Sequence, residues 1–120
     1  MAEDLLRKVE IDWLLSIYGA MLTDKQREIA TLYYEEDFSL AEIAQQEGVS
    51  RQSVHDTLQR VEKQLRTWEE KLNMRRRLVN VQTRLDEALA ALAGGDCQGA
   101  KASIETALNL LTDEEDANGL

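Results

Sequence analysis

SLAEIAQQEGVSRQSVHDTLQRVEKQL, residues 39–65, decides the fold. It reads as two short helices joined by a tight turn, the arrangement that lets a second helix lie in a DNA major groove. Ser39 is placed to cap the first helix by accepting from a free backbone N–H of the first turn, and Glu42, three residues on, completes a capping box. Leu40, Ile43 and Ala44 then share one face, and Ala44 is small enough for another helix to come close. Gly48 stands where the first helix must stop, because the left-handed conformation that ends a helix is cheapest for glycine. Val49 is expected to plug the turn and Ser50 to cap the second helix. Val54, Leu58 and Val61 recur at steps of four and three and form the inward face of that helix.

The outward side of the second helix carries Arg51, Gln52, Ser53, His55, Asp56, Gln59 and Arg60. Arg and Gln are shaped for paired contacts to guanine and adenine edges, and Ser adds an adaptable donor or acceptor. The expected DNA contacts are Ser50, Arg51, Gln52, Ser53, His55 and Gln59, with Arg60 and Lys63 on phosphates.

Outward from this core, the chain has 120 residues, 43% of them apolar, six glycines and no proline. Runs of alternating β-branched residues are missing, so long helices and an all-α fold are expected. No stretch is apolar for long enough to span a bilayer. The N-terminal segment carries Glu3, Asp4, Glu10 and Asp12 instead of a basic and then apolar leader. The single Cys97 cannot form an internal disulfide, which fits a reducing cytoplasm.

Net charge is −9, a sign that opposes nucleic acid. Its distribution does not. Residues 1–50 hold four Lys/Arg against eleven Asp/Glu, and residues 78–120 hold two against eight, whereas residues 51–77 hold eight against four. Phosphate contacts come from local cations, so this middle segment can bind, with marked sensitivity to salt.

Before the core, Leu5, Leu6, Val9, Trp13, Leu14, Ile17 and Tyr18 form an apolar stripe on a helix over residues 3–20. Thr23 with Gln26 makes a second capping box, opening a helix that is expected to bury Ile29, Leu32 and Tyr33 and to end near Glu36–Asp37. After the core, Leu58, Val61, Leu65, Trp68 and Leu72 describe roughly two heptads of helix pairing. Leu72 to Leu78 is out of phase, so a break is expected around Asn73 and Met74. A second seam runs through Leu78, Val81, Leu85, Ala88 and Leu92. Gly94-Gly95 closes that helix, Asp96 caps the last one, and Ala100, Ile104, Ala107, Leu108 and Leu111 line its inner face. The domains expected are thus 1–72, containing the helix-turn-helix at 39–65, a helical hairpin at 73–112, and a frayed acidic tail at 113–120. Three seams exceed what one small core can bury, which points to a homodimer that spaces two recognition helices for a two-fold site, the alternative being helices that close one monomeric bundle.

Catalysis has little support. His55 and Cys97 are each the only residue of their kind, and neither has a partner motif. Glu35-Glu36-Asp37 projects its carboxylates in different directions, and metal binding fails on ligand count. The glycine-rich turn at residues 94–99 follows a helix and has no Lys after it, unlike a phosphate-cradling loop. No cofactor and no enzyme activity are expected.

Tyr18 to Leu72 resembles the YlxM-type helix-turn-helix proteins of bacteria. More loosely, LTDKQREIATLYY followed by SLAEIAQQEGVSRQSV is similar to region 4 of sigma factors, which reads the promoter −35 element. The resemblance implies an all-α core of the sigma region 4 kind, within the winged-helix superfamily, a dimer, and a regulatory role linked to components of the signal recognition particle. It also makes Ser50, Arg51, Gln52, Ser53 and His55 contact residues, although His55 departs from the tyrosine the family pattern carries there. A DNA-binding regulator is the first reading. An accessory factor binding RNA or protein of the targeting particle is the second, and a pure protein adaptor is the third.

Overall fold

The computed structural model describes residues 2–112, so the acidic tail expected at 113–120 lies outside the described residues. Among the described residues six α-helices follow one another: α1 (Ala2–Tyr18), α2 (Asp24–Tyr34), α3 (Leu40–Glu47), α4 (Arg51–Leu72), α5 (Met74–Ala93) and α6 (Cys97–Thr112), with a 3-10 turn at Gly19–Met21 after α1. The fold is all-α. No strand forms among the described residues, so the core carries no wing. Helices α1–α4 pack as one compact unit and α5–α6 as another.

Local chemistry sets the boundaries in the first unit. Thr23 Oγ1 accepts from the Gln26 N–H while the Gln26 side chain accepts from the Thr23 N–H, and Ser39 and Glu42 exchange the same pair of bonds. Gly48 is left-handed at φ 70°, and the Val49 N–H donates to the Ala44 carbonyl at 3.0 Å, closing α3. Ser50 Oγ accepts from the Ser53 N–H at 3.0 Å and opens α4. Val54, Leu58, Val61 and Leu65 are buried along α4, against Ile43 and Ala44 of α3, Ile29 and Ala30 of α2, and Ile11, Leu14, Leu15 and Tyr18 of α1. These are the apolar contacts that fix α4 in the unit.

Four expectations need correction. The stripe buried on α1 is Ile11, Leu14, Leu15 and Tyr18, whereas Leu5, Leu6 and Val9 are 59–68% exposed and Trp13 is 39% exposed. Both sets satisfy helical spacing, and the neighbouring helices select between them. Helix α2 stops at Tyr34, two residues early, and buries Ala30, with Leu32 and Tyr33 only half-buried. Val49 does not plug the turn. It is exposed, and its backbone closes the corner instead. The seam through Leu58, Val61 and Leu65 is used up inside this unit, and Leu72 at its end is exposed.

Asn73 adopts the left-handed conformation at φ 52° and ends α4, where the phase change called for a break. In the second unit Val81 and Ala88 of α5 bury against Ala100 and Ala107 of α6, small side chains that let two helices approach closely. Gly95 at φ 80° turns the chain, and Asp96 Oδ1 accepts from the Gly99 N–H to cap α6.

Candidate nucleic-acid interface

The buried line Val54, Leu58, Val61, Leu65 steps by four, three and four. Because a helix repeats every 3.6 residues, the residues two places earlier, Gln52, Asp56, Gln59 and Lys63, step in the same way on the opposite side. All four are exposed. They form the outward stripe of α4, and Asp56, absent from the contacts expected from the sequence, lies within it. The signal for it was present in the four-residue step from Gln52.

The other residues expected at the interface flank this stripe. Arg51 and His55 occupy one shoulder, and Ser53 and Arg60 the other, all exposed. Ser50 holds the helix start through its hydroxyl. Within the stripe, Gln52 Nε2 donates to Asp56 Oδ1 at 2.9 Å, and His55 Nδ1 lies 3.7 Å from the same oxygen. His55 and Gln59 also line a groove of about 420 Å³ beside α1 and α2, together with Tyr34, Leu40 and Glu62. Burial, above all, pushes the Tyr34 phenol up to about 12.

Cations in this unit fall into two groups. Arg7 is bound to Glu62, Lys8 lies 3.4 Å from Asp37 and 4.5 Å from the centre of the Tyr33 ring, Lys25 meets Glu47, and Arg66 bridges Glu10 and Glu62 at 3.1 and 3.2 Å. The Arg7 hydrogen bond holds the Glu62 carboxyl below the usual carboxylate range, and Lys25 does the same to Glu47. Arg51, Arg60 and Lys63, by contrast, make no ion pair among the described residues, and neither do Arg27 and Lys71. Glu62 of α4, with Glu10, Glu47 and Asp37, therefore neutralises Arg7, Lys8, Lys25 and Arg66, while Arg51, Arg60 and Lys63 around the stripe stay available. The chemistry this face offers is hydrogen bonding and positive charge on an exposed helix seated by a glycine corner.

That geometry is the one a helix-turn-helix presents to a duplex, and comparison with known proteins agrees. The profile of a family described as "Putative helix-turn-helix protein, YlxM / p13 like", UPF0122, matches residues 5–94. The chain belongs to the UPF0122 family. A UPF0122 protein of Clostridium botulinum is 49% identical over 67 residues, which cover 56% of this chain and 62% of that protein. One from Clostridium perfringens strain SM101 is 44% identical over 84 residues, 70% of this chain and 74% of that one. One from Desulforamulus reducens is 39% identical over 102 residues, 85% and 87% of the two chains. The stretch matched to the UPF0122 profile takes in the whole helix-turn-helix and α5 and stops before α6.

No helix among the described residues is long and apolar enough to cross a membrane.

Proposed function

We propose that this UPF0122 member is a cytoplasmic DNA-binding regulator of transcription that reads a duplex with the outward stripe of α4. The observation that carries this reading is the division of charge: among the described residues Arg51, Arg60 and Lys63 have no carboxylate partner, although the chain as a whole is strongly acidic. Arg51 and Gln52, at the start of the helix, are placed for base edges, and Arg60 and Lys63 for phosphates. Ser50, Ser53, His55 and Gln59 complete the proposed contact set. Acidic surroundings lower the affinity and make it fall steeply with salt.

The regulator acts as a homodimer in this reading. One side of the α5–α6 hairpin exposes Leu85, Leu89 and Leu92 with Ile104, Leu108 and Leu111, each 40–65% exposed. The rotation of the two antiparallel helices puts these residues on the same flank of the buried Val81–Ala88 and Ala100–Ala107 lines. Such a face offers on the order of 500 Å² per protomer, so two copies meeting face to face reach about 1,000 Å², the lower limit for a specific interface. Placement of the dimer beside components of the signal recognition particle rests on the YlxM resemblance alone.

The test is selection of bound fragments from genomic DNA and total RNA at low and at higher salt. Enrichment of a short palindromic duplex, weakened by salt, is the expected result. Preference for structured RNA would replace the proposal with that of an RNA-binding accessory factor.

A further inference from the structure

Asp56 is the one carboxylate on the outward stripe, between Gln52 and Gln59. Arg60, one turn further on and of opposite charge, does not pair with it, and its oxygen instead accepts from Gln52. A hydrogen-bonded Gln and Asp four residues apart stabilise an exposed helix only slightly. A carboxylate on a face approached by phosphates is repelled, and stripping its water is costly unless a donor meets it. Helix stability therefore gives little reason for Asp56 to stand here.

The major groove supplies such donors in two places, the exocyclic amines of cytosine and adenine. Adenine sets its amine beside the N7 acceptor, which repels a carboxylate. Cytosine presents its N4 amine with an acceptor on one side only, the O6 of its paired guanine, and its own C5–H on the open side, whereas the adenine amine lies between N7 and the thymine O4. Gln52, whose amide nitrogen is held by Asp56, steadies the carboxylate against rotation. We infer that Asp56, braced by the Gln52 amide, is a specificity-determining residue that selects cytosine at one position of the DNA site. The inference rests on the DNA-binding reading above.

Asp56→Asn keeps the size of the side chain and an oxygen for Gln52, and removes the charge at an exposed position. The experiment measures the affinity of the full chain, wild type and Asp56→Asn, for a selected duplex and for each of its single-base-pair variants at one low salt concentration. Circular dichroism checks that both proteins are equally helical. Wild type should lose about tenfold when one particular cytosine is replaced, as a good base contact requires. Asp56→Asn should flatten the preference at that base pair and leave the other positions unchanged. A uniform gain in affinity for every duplex, with the base profile intact, would overturn the inference and leave Asp56 as a merely repulsive charge. Wild type that binds no duplex at low salt would instead remove the DNA-binding reading, and the inference with it.

Discussion

Arg7 and Glu62, 55 residues apart in the chain, hold each other through two side-chain hydrogen bonds, the Nε–Oε1 bond being 2.7 Å long. This fork ties the first turns of α1 to the middle of the recognition helix, and Glu62 also accepts from Arg66. Glu62 has 13% of its side chain exposed but Arg7 has 60%, so solvent screens the pair from the Arg7 side and its contribution stays modest. Its carboxyl titrates below the ordinary value of 4.5 because Arg7 holds the charged form. A carboxyl with a lowered value in the folded state stabilises the fold above its unfolded value and loses that contribution as the pH falls through the folded one. Glu62→Gln should therefore cost about 1 kcal/mol at pH 7 and much less near pH 3. Urea denaturation of both proteins at the two pH values checks this, and an equal cost at both would contradict it.

Gly48 turns the corner of the helix-turn-helix at φ 70°, and a Cβ there would meet nothing within 4 Å. The demand on this position is therefore backbone conformation and not space. Gly48→Ala should destabilise the first unit by about 1 kcal/mol, while Gly48→Asn, whose side chain tolerates the left-handed region, should cost clearly less. Thermal melting of the two variants distinguishes them. Equal losses would mean that crowding, not φ, sets the requirement.

The helix-turn-helix was legible because its boundaries are written in local chemistry. Ser39 with Glu42, Gly48, and Ser50 each act on backbone groups within a few residues. The break at Asn73 was legible for the same reason, as a phase change in the apolar spacing. Helix α1 was not, because Leu5, Leu6 and Val9 fit a 3.6-residue period as well as Ile11, Leu14 and Leu15 do, and only the packed neighbours choose. The division of cations was also hidden. Which Lys and Arg are neutralised depends on Glu62, Glu47 and Glu10 arriving from distant parts of the chain.

The leucine face of the hairpin gives the proposed homodimer a direct test. Leu89 and Leu108, 65% and 56% exposed, make little contact within the described chain. Replacing either with Asp should leave the fold intact, with a stability change within about 0.5 kcal/mol for the monomer. Sedimentation equilibrium should show wild-type dimers and variant monomers. Dimers that persist in the Leu89→Asp and Leu108→Asp double variant would place the contact elsewhere.

Arg51 and Lys63 separate base reading from charge. Arg51 begins α4, the end that the proposed reading sets against base edges, and Lys63 lies three turns on, at the far end of the exposed stripe. Arg51→Ala should weaken binding to the selected duplex by about 1–3 kcal/mol and relax preference at one base pair. Lys63→Ala should weaken every duplex alike and lower the slope of log affinity against log salt by about 1, the counterion released at one phosphate. Fluorescence anisotropy across a salt series reads both quantities. If the two variants lose the same affinity on selected and unrelated duplexes, the stripe binds charge without reading sequence, and a nonspecific binder replaces the regulator.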